Sequence, residues 1–273
     1  MTRRLAVLAG SGGLVAQVVE AARRAGYRVQ VLAFEERDPI PGTKMARADI
    51  SNPLGIVWSM KTFRATHVVM AGGLHLSDRQ REGLARFATG GEVAPSLGDA
   101  ALSGLAVAVK KFTGAELLGV HEIAPELLAE TGLIAGPMPD EAAMAAAHLA
   151  IAAARAIGRL DLGQAVVVAG ARVVAAEDLA GTAELLSRVA EHRRTGLIGD
   201  GQGPIVLGKT SKPQQPAYVD LPAIGPDTVE QAVAAGITLI AVEPLRTLLI
   251  NRPALIAAAE AHRVTIFGLA PDA

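Results

Sequence analysis

The sequence predicts an α/β protein that has a Rossmann-like N-terminal domain followed by a second α/β domain. The first observation is a continuous apolar run over 5–9, which is typical of a buried parallel strand. A glycine-rich turn over 10–13 and an amphipathic helical stretch over 14–25 follow it directly. A second strand over 28–34 completes the β-turn-α-β unit with which a Rossmann-like sheet begins.

The alternation of strands and helices continues beyond this opening unit. Its further elements are predicted as a strand over 66–71, helices over 84–87 and 100–111, and a strand over 115–120. The last strand is expected to deliver His121 and Glu122 at its carboxyl end, where α/β folds bind ligands. His121 is therefore a candidate acid/base or metal ligand, with Glu122 to orient its ring. A structural or solvated pair is the alternative interpretation.

A stretch rich in glycine and proline over 132–140 is predicted to link the two domains. The predicted domains are 1–133, Rossmann-like, and 134–273, the second α/β domain. Elements of the second domain are predicted as helices ending at 156 and over 181–194, 227–235 and 252–262, with strands over 165–169, 172–176, 205–207, 238–242 and 265–269.

The composition excludes several classes of protein. The net charge is −1 and no block of basic residues occurs, so nucleic acid is not expected as a partner. The absence of cysteine excludes disulfides and thiol catalysis and is compatible with the cytosol. Glycines at 10–13 interrupt the N-terminal apolar run, so a signal peptide is not expected. The apolar stretch over 142–157 is too short to span a bilayer.

The glycine-rich turn is a candidate phosphate site. Backbone N–H groups near Gly10 and Gly12, together with the start of the following helix, can surround a phosphate. The third glycine of the dinucleotide fingerprint is replaced by Val15, which weakens the case for an NAD-dependent enzyme. A tight turn without a ligand is the alternative.

Residues 208–225, the polar segment, hold the richest set of candidate ligand-binding side chains. Three prolines favour an extended backbone there. Lys209 and Lys212 suit an anionic ligand such as a diphosphate, and Gln215 adds an amide. Asp220 precedes a proline by two residues and is a candidate to bind Mg²⁺ or to activate water. An ordinary surface connection is the alternative.

Asp161 and Gln164 lie in a predicted loop over 158–164 that is punctuated by glycine. An acid in such a loop can hold a divalent metal through water. A capping acid at a helix end is the alternative. With the polar segment, these residues predict a phosphate- or nucleotide-handling site at the junction of two domains.

The combination of these motifs resembles the LpxI family, whose members are UDP-2,3-diacylglucosamine pyrophosphatases of lipid A biosynthesis. The resemblance covers essentially the whole chain and is specific as a combination. The motifs that carry it are Leu8-Ala9-Gly10-x-Gly12, Gly119-Val120-His121-Glu122, Ile157-Gly158-Arg159-Leu160-Asp161-Leu162-Gly163-Gln164, Lys209-x-x-Lys212-Pro213-x-Gln215 and Val219-Asp220-Leu221-Pro222-x-Ile224-Gly225-x-x-Thr228.

The resemblance implies hydrolysis of the substrate's diphosphate, dependent on Mg²⁺ or Mn²⁺, to give UMP and 2,3-diacylglucosamine 1-phosphate. It implies a cytoplasmic enzyme with peripheral contact at the inner membrane, and a homodimer is compatible with it. Asp220 is implied as the catalytic residue and, with Asp161, as a metal ligand. Substrate contacts are implied at Gly10, Gly12, His121, Glu122, Thr182, Lys209, Lys212 and Gln215.

The chain departs from the family pattern at four places. Ala180 and Ala183 stand where the family commonly has acids, and Tyr218 stands where an arginine usually occurs. Ala100 replaces the second acid of a Gly-Asp-Asp run, and the three residues after Gly72-Gly73 include no Lys or Arg, where the family has a basic position. These losses of charge motivate the alternative to an active hydrolase, a non-catalytic or altered-substrate relative that binds a lipid or nucleotide-sugar.

Overall fold

A parallel five-stranded sheet and a mixed six-stranded sheet form the framework of the protein. A computed structural model describes residues 2–74, 76–89, 100–199, 201, 203–215 and 221–271. The chain divides into a first unit, Met1–Glu126 with Gln215, and a second unit, Leu127–Gln214 with Leu221–Ala273. Both units are α/β, and the first is Rossmann-like, as the sequence predicts.

The first unit is built on the parallel sheet, whose strand order is β3-β2-β1-β4-β5. Its strands are β1 (Arg4–Ala9), β2 (Arg28–Ala33), β3 (Lys44–Arg47), β4 (His67–Ala71) and β5 (Glu116–Leu118). Its helices are α1 (Leu14–Arg24), α2 (Pro53–Phe63), α3 (Asp78–Thr89), α4 (Ala100–Thr113) and α5 (Val120–Ile123). The central strand β1 is buried along its apolar run, and Ala6 and Leu8 pack with buried residues of α2, α3 and α4. This burial explains why the strand is continuously apolar.

Strand β3 and helix α2 of this unit are absent from the sequence prediction. Strand β3 is only partly buried and contains two basic residues, so its apolar pattern is weak. Helix α2 has an unambiguous start, because the Asn52 side chain accepts from Gly55 N at 3.0 Å and Pro53 opens the first turn. Its exposed face, however, includes the apolar residues Leu54 and Trp58. The sequence therefore lacks the alternation of apolar and polar faces by which an amphipathic helix is recognised.

The second unit is built on the mixed sheet, with the order β6-β13-β11-β9-β7-β8. Its strands are β6 (Gly132–Ala135), β7 (Ala165–Ala169), β8 (Arg172–Ala176), β9 (Ile205–Lys209), β11 (Leu239–Val242) and β13 (Thr265–Gly268). A separate pair consists of β10 (Ala223–Ile224) and β12 (Leu248–Leu249). The helices are α6 (Glu141–Arg159), α7 (Gly181–Arg194), α8 (Pro226–Ala234) and α9 (Arg252–His262). None of the described helices is long and apolar enough to cross a membrane.

Helix α6 lies unusually close to β9. A Cβ atom at Gly208 would lie 2.5 Å from the carbonyl carbon of Ala150, so the contact requires glycine. Asp140 caps the same helix by accepting from Ala143 N at 2.8 Å. The close contact fixes the position of Lys209, which is the next residue.

The sequence predicts a linker over 132–140, and this prediction is wrong for residues 132–135. Residues 132–135 form β6, which pairs antiparallel with β13. The run is only four residues long and has no alternating pattern, so its pairing partner decides its conformation.

Candidate active site

The glycine-rich turn after β1 is held against the glycine pair after β4. Ser11 N donates to Gly73 O at 2.8 Å, and Gly73 N donates to Ser11 O at 3.2 Å. Arg37 Nη2 donates to the carbonyl oxygens of Gly10 and Gly12, both at 3.1 Å. Burial lowers the pKa of the Arg37 guanidinium, which nevertheless stays charged at neutral pH. The carbonyl groups of the turn are thus bound by a cation, and substrate binding by Gly10 and Gly12 stays a prediction.

Replacing Gly10 by alanine is expected to lower the free energy of unfolding by about 1–3 kcal/mol. A Cβ atom there would lie 2.2 Å from the carbonyl oxygen of Gly73, which is backbone and cannot rotate away. Urea unfolding followed by far-UV circular dichroism measures the change. The matched control is Gly83→Ala in α3, since nothing lies within 4 Å of a Cβ there. Equal midpoints for the two variants would contradict the packing argument.

His121 and Glu122 lie in helix α5, so their predicted position at a strand end is wrong. Strand β5 stops at Leu118, and Glu122 Oε2 accepts from Gly119 N at 2.7 Å, which starts the helix. His121 Nδ1 is buried and has no hydrogen-bond partner among the described residues. Buried polar atoms are nearly always satisfied, so this atom calls for water or a ligand.

In the second unit, polar residues from several strands meet at one edge of the sheet. Strands β9 and β11 are parallel, so their carboxyl ends share this edge. Strand β7 runs antiparallel with Ala165 opposite Lys209, which brings the preceding loop to the same edge. The antiparallel strand β8 delivers Glu177 there. We call this group the polar edge: Asp161, Gln164, Glu177, Thr182, Lys209, Thr210, Ser211, Lys212 and Glu243.

Lys209 is the last residue of the buried strand β9 and is itself only 6% exposed. Its Nζ donates to Thr182 Oγ1 at 2.9 Å and to the carbonyl oxygen of Ala223 at 3.0 Å. The Thr182 hydroxyl in turn donates to Glu177 Oε1 at 2.5 Å. A chain of hydrogen bonds therefore joins a buried cation to a buried carboxylate through Thr182, which offsets part of the cost of burying both.

Glu243 anchors the start of the polar segment. It follows β11, and its Oε2 accepts hydrogen bonds from both N and Oγ of Ser211 at 2.9 Å. Its Oε1 lies 3.8 Å from Nη1 of Arg155 on α6. The carboxylate thus fixes the backbone between Lys209 and Lys212.

Lys212 and Asp161 form an ion pair across 51 residues of sequence, with Nζ to Oδ1 at 2.7 Å. The two side chains are 13% and 29% exposed, so the pair is close to solvent but not free in it. Asp161 has φ of 57°, a left-handed conformation that aspartate tolerates better than most residues. Gln214 Nε2 also donates to Gly158 O at 2.7 Å, so the loop and the polar segment are joined twice.

Two buried polar atoms at this edge have no hydrogen-bond partner within the described part of the chain. They are Oε1 of Gln164 and Oγ1 of Thr210. The backbones of both residues are fixed, since Gln164 N donates to Glu177 at 2.7 Å and Thr210 N donates to Gln164 O at 3.0 Å. Unsatisfied groups on a rigid frame indicate a bound water or ligand. Gln215, in the first unit, is 9% exposed and has a similarly unsatisfied Nε2.

The described ranges contain no group of three or more acidic or histidine side chains that could hold a metal ion. Asp161, predicted as a metal ligand, has one carboxylate oxygen on Lys212. Asp220, predicted as the catalytic residue and a second ligand, lies outside the described residues, as does Tyr218. A metal at this site therefore stays a prediction.

Sequence reasoning missed Glu177, Thr210, Ser211 and Glu243. Glu243 follows a correctly predicted parallel strand, so the rule that ligand-binding residues lie at carboxyl ends points to it. Glu177 follows a predicted strand that runs antiparallel to its neighbour, and only the observed pairing brings it to the edge. Thr210 and Ser211 carry no sequence signal that points to a ligand site.

The fold and the polar edge define a two-unit α/β protein with a rigid, partly unsatisfied polar site suited to an anionic ligand. The family model described as LpxI N-terminal domain matches residues 4–127, and the LpxI C-terminal domain model matches residues 130–267. The chain belongs to the LpxI family.

One relative is named UDP-2,3-diacylglucosamine pyrophosphatase LpxI and comes from Caulobacter vibrioides. It is 32% identical over 290 aligned residues, which cover 99% of each chain. Among solved structures, UDP-glucose 4-epimerase of Thermus thermophilus with NAD has a TM-score of 0.30 and 22% identity, covering 50% of this chain and 41% of that one. The Bordetella bronchiseptica enzyme WbmH with NAD⁺ has a TM-score of 0.34 and 13% identity, covering 94% and 71%.

Proposed function

We propose that this protein hydrolyses the diphosphate of UDP-2,3-diacylglucosamine to UMP and 2,3-diacylglucosamine 1-phosphate in lipid A biosynthesis. The observation that carries the proposal is the 32% identity, over 99% of both chains, to a relative whose name states this pyrophosphatase activity. The polar edge supports it, because it offers a cation and unsatisfied hydrogen-bonding groups to an anionic ligand.

Charge builds up on the phosphate oxygens as the bond between phosphorus and the bridging oxygen breaks. We assign Lys212 to neutralise that charge, since its ammonium group is held in place by Asp161 at 2.7 Å. Gln164 and Thr210 are assigned to hydrogen-bond the same ligand. We assign Lys209 and Thr182 to positioning the ligand-binding residues, because both side chains are already hydrogen-bonded within the protein. Contacts from Gly10, Gly12, His121, Glu122 and Gln215 are retained as proposals.

Asp220 is proposed as the catalytic base. It would accept a proton from the attacking water while the water oxygen bonds to phosphorus and the bridging oxygen leaves. The residue that follows it in the sequence, Leu221, is buried in the second unit.

Mg²⁺ or Mn²⁺ is proposed as the cofactor. Mg²⁺ is commonly held by one or two carboxylates, with substrate phosphate oxygens completing its coordination. Asp161 and Asp220 fit this small set of oxygen donors, although the described residues alone contain no three-residue cluster. When bound, the ion would withdraw charge from the phosphate oxygens.

Removal of the metal provides the first test. Purified protein with Mg²⁺ is expected to release UMP from the UDP-lipid, and EDTA is expected to lower the rate by about 10²-fold or more. Chromatographic measurement of UMP checks both, and excess Mg²⁺ should restore the rate. Absence of UMP with every divalent ion would contradict the function, whereas UMP release that resists EDTA would contradict only the metal.

A lipid substrate also motivates a cytoplasmic location with peripheral contact at the inner membrane, which we propose together with a homodimer. Sedimentation of the protein with isolated membranes and its mass in solution test these two points separately.

A second candidate function is a non-catalytic or altered-substrate relative that binds a lipid or nucleotide-sugar. It is favoured by the start of α7, where Ala180 and Ala183 flank Thr182 and the helix has no side-chain cap. Thr182 is hydrogen-bonded to Glu177 and Lys209 within the polar edge. The two carboxylates that relatives commonly have at positions 180 and 183 are therefore absent close to this edge. Binding of the UDP-lipid without UMP release would favour this candidate, and clear turnover would dismiss it.

A further inference from the structure

A cavity of about 510 Å³ lies at the amino-terminal edge of the first unit's sheet. Its lining includes Arg4, Arg28 and Lys44, which are the first residues of β1, β2 and β3. Arg23, from the last turn of α1, is a fourth cation in the lining. Among the described residues no carboxylate lines it. We call it the basic cavity.

Most of this positive charge has no acidic partner among the described residues. Arg4 Nη1 donates to the carbonyl oxygen of Phe63 at 2.8 Å, which satisfies the end of α2. Arg23, Arg28 and Lys44 have no side-chain hydrogen bond or ion pair to any described residue. Arg4 and Arg28 are also direct register partners on adjacent strands, where like charges repel. The cavity is therefore suited to an anion.

Two acids of this unit pair with residues outside the cavity lining. Glu116, at the start of β5, lies 3.5 Å from the Nε2 atom of His67. Glu20, on α1, pairs with Arg24 at 2.9 Å. Neither residue lines the basic cavity. An anion bound there would have to come from outside the described residues.

Helix α2 carries an exposed apolar face that leads to the same cavity. Leu54 is 66% exposed and Trp58 is 73% exposed. Spacing by four residues places both on one helix face with Thr62, which lines the cavity. Lys61, which is exposed and lies three positions after Trp58, flanks this face. Tryptophan and lysine beside an apolar face are typical of helices that lie at a bilayer surface.

We propose that the basic cavity and the Leu54–Trp58 face dock the first unit on an anionic phospholipid surface. A lipid phosphate occupies the cavity, and Trp58 lies at the level of the headgroups. The positive lining of the cavity is the argument for an anionic ligand. The choice of a membrane as the source of that anion rests on the proposed function, whose substrate is a lipid. The glycine-rich turn lies at the carboxyl ends of β1 and β4, so docking at the amino-terminal edge leaves it uncovered.

Substrate-free vesicles test the proposal directly. Trp58 is the single tryptophan of the chain, so its emission reports on this face alone. Vesicles of phosphatidylglycerol are expected to sediment the full-length protein and to shift its emission to shorter wavelength. Vesicles of phosphatidylcholine are expected to do neither, and added salt should weaken the binding.

Arg28→Glu is expected to weaken binding to anionic vesicles by about tenfold or more. The matched control is Arg172→Glu, an exposed residue at the start of β8 in the second unit, which makes the same change in net charge. Trp58→Ser, followed by sedimentation, is expected to weaken binding as well. Far-UV circular dichroism of each variant verifies that it is folded.

Three results would overturn the proposal. The first is no binding of the wild-type protein to anionic vesicles, and the second is equal binding by the Arg28 and Arg172 variants. The third is calorimetric binding of inorganic phosphate that depends on Arg28 without vesicle binding, which would assign the cavity to a free phosphate compound. Vesicle binding by a protein that releases no UMP from detergent-dispersed UDP-lipid would contradict only the proposed function.

Discussion

Replacing Asp220 by alanine is expected to lower the rate constant of UMP release by about 10³-fold or more. The substitution removes both the proposed proton acceptor and a proposed metal ligand. The residues after Asp220 are firmly held, because Leu248 N donates to Pro222 O at 2.8 Å and Lys209 Nζ donates to Ala223 O at 3.0 Å. A single-turnover assay at saturating substrate measures the effect on the chemical step.

Asp227→Ala is the matched control for this substitution. Asp227 is an exposed carboxylate in the first turn of α8, so its loss is expected to cost only about 0.3–1 kcal/mol of stability and to leave the rate within about twofold. If the Asp220→Ala protein kept a tenth of the wild-type rate or more, the catalytic assignment of Asp220 would be wrong.

Replacing Lys209 by methionine is expected to lower the free energy of unfolding by about 2–4 kcal/mol. Methionine fills nearly the same space, so the change chiefly removes the buried ammonium group. Its loss leaves Ala223 O without that donor and the buried Glu177 carboxylate without the cation that Thr182 links to it. Chemical unfolding followed by far-UV circular dichroism measures the loss.

The matched control is Lys212→Met, at the lysine of the polar edge that lies three positions after Lys209. Its partner Asp161 is 29% exposed and can be hydrated, so the expected loss is about 1 kcal/mol or less. UMP release is expected to fall in the Lys212 variant, because this lysine is assigned to the substrate. Equal destabilisation by the two substitutions would contradict the distinction between a positioning lysine and a ligand-facing one.

The fold could largely be predicted from the sequence, because apolar runs and glycine turns are local signals. Helices α7 and α9 have the predicted bounds, and β1 and β7 coincide with their apolar runs to within a residue. Helix α2 and strand β6 could not be predicted in this way. The exposed Trp58 obscures the hydrophobic periodicity of α2. Strand β6 is extended because it pairs with β13, which is distant in the sequence.

The polar edge could be predicted only in part, because its geometry depends on strand pairing. Asp161, Lys209 and Lys212 were recognisable as candidates from their charge and their loops, but nothing local indicates that Asp161 binds Lys212. Glu177 reaches the edge only because β8 folds back on β7. The LpxI family assignment is confirmed, whereas the individual roles of the site residues stay predictions.

The place of β13 in its sheet bears on the order in which the chain can fold during synthesis. This strand pairs with β6 on one side and with β11 on the other, although β6 precedes it by more than a hundred residues. Until β13 has left the ribosome, β6 has no partner in this sheet and the edge of β11 stays open. Unpaired strand edges invite association with other chains, so the second unit passes through an aggregation-prone stage while it is being made.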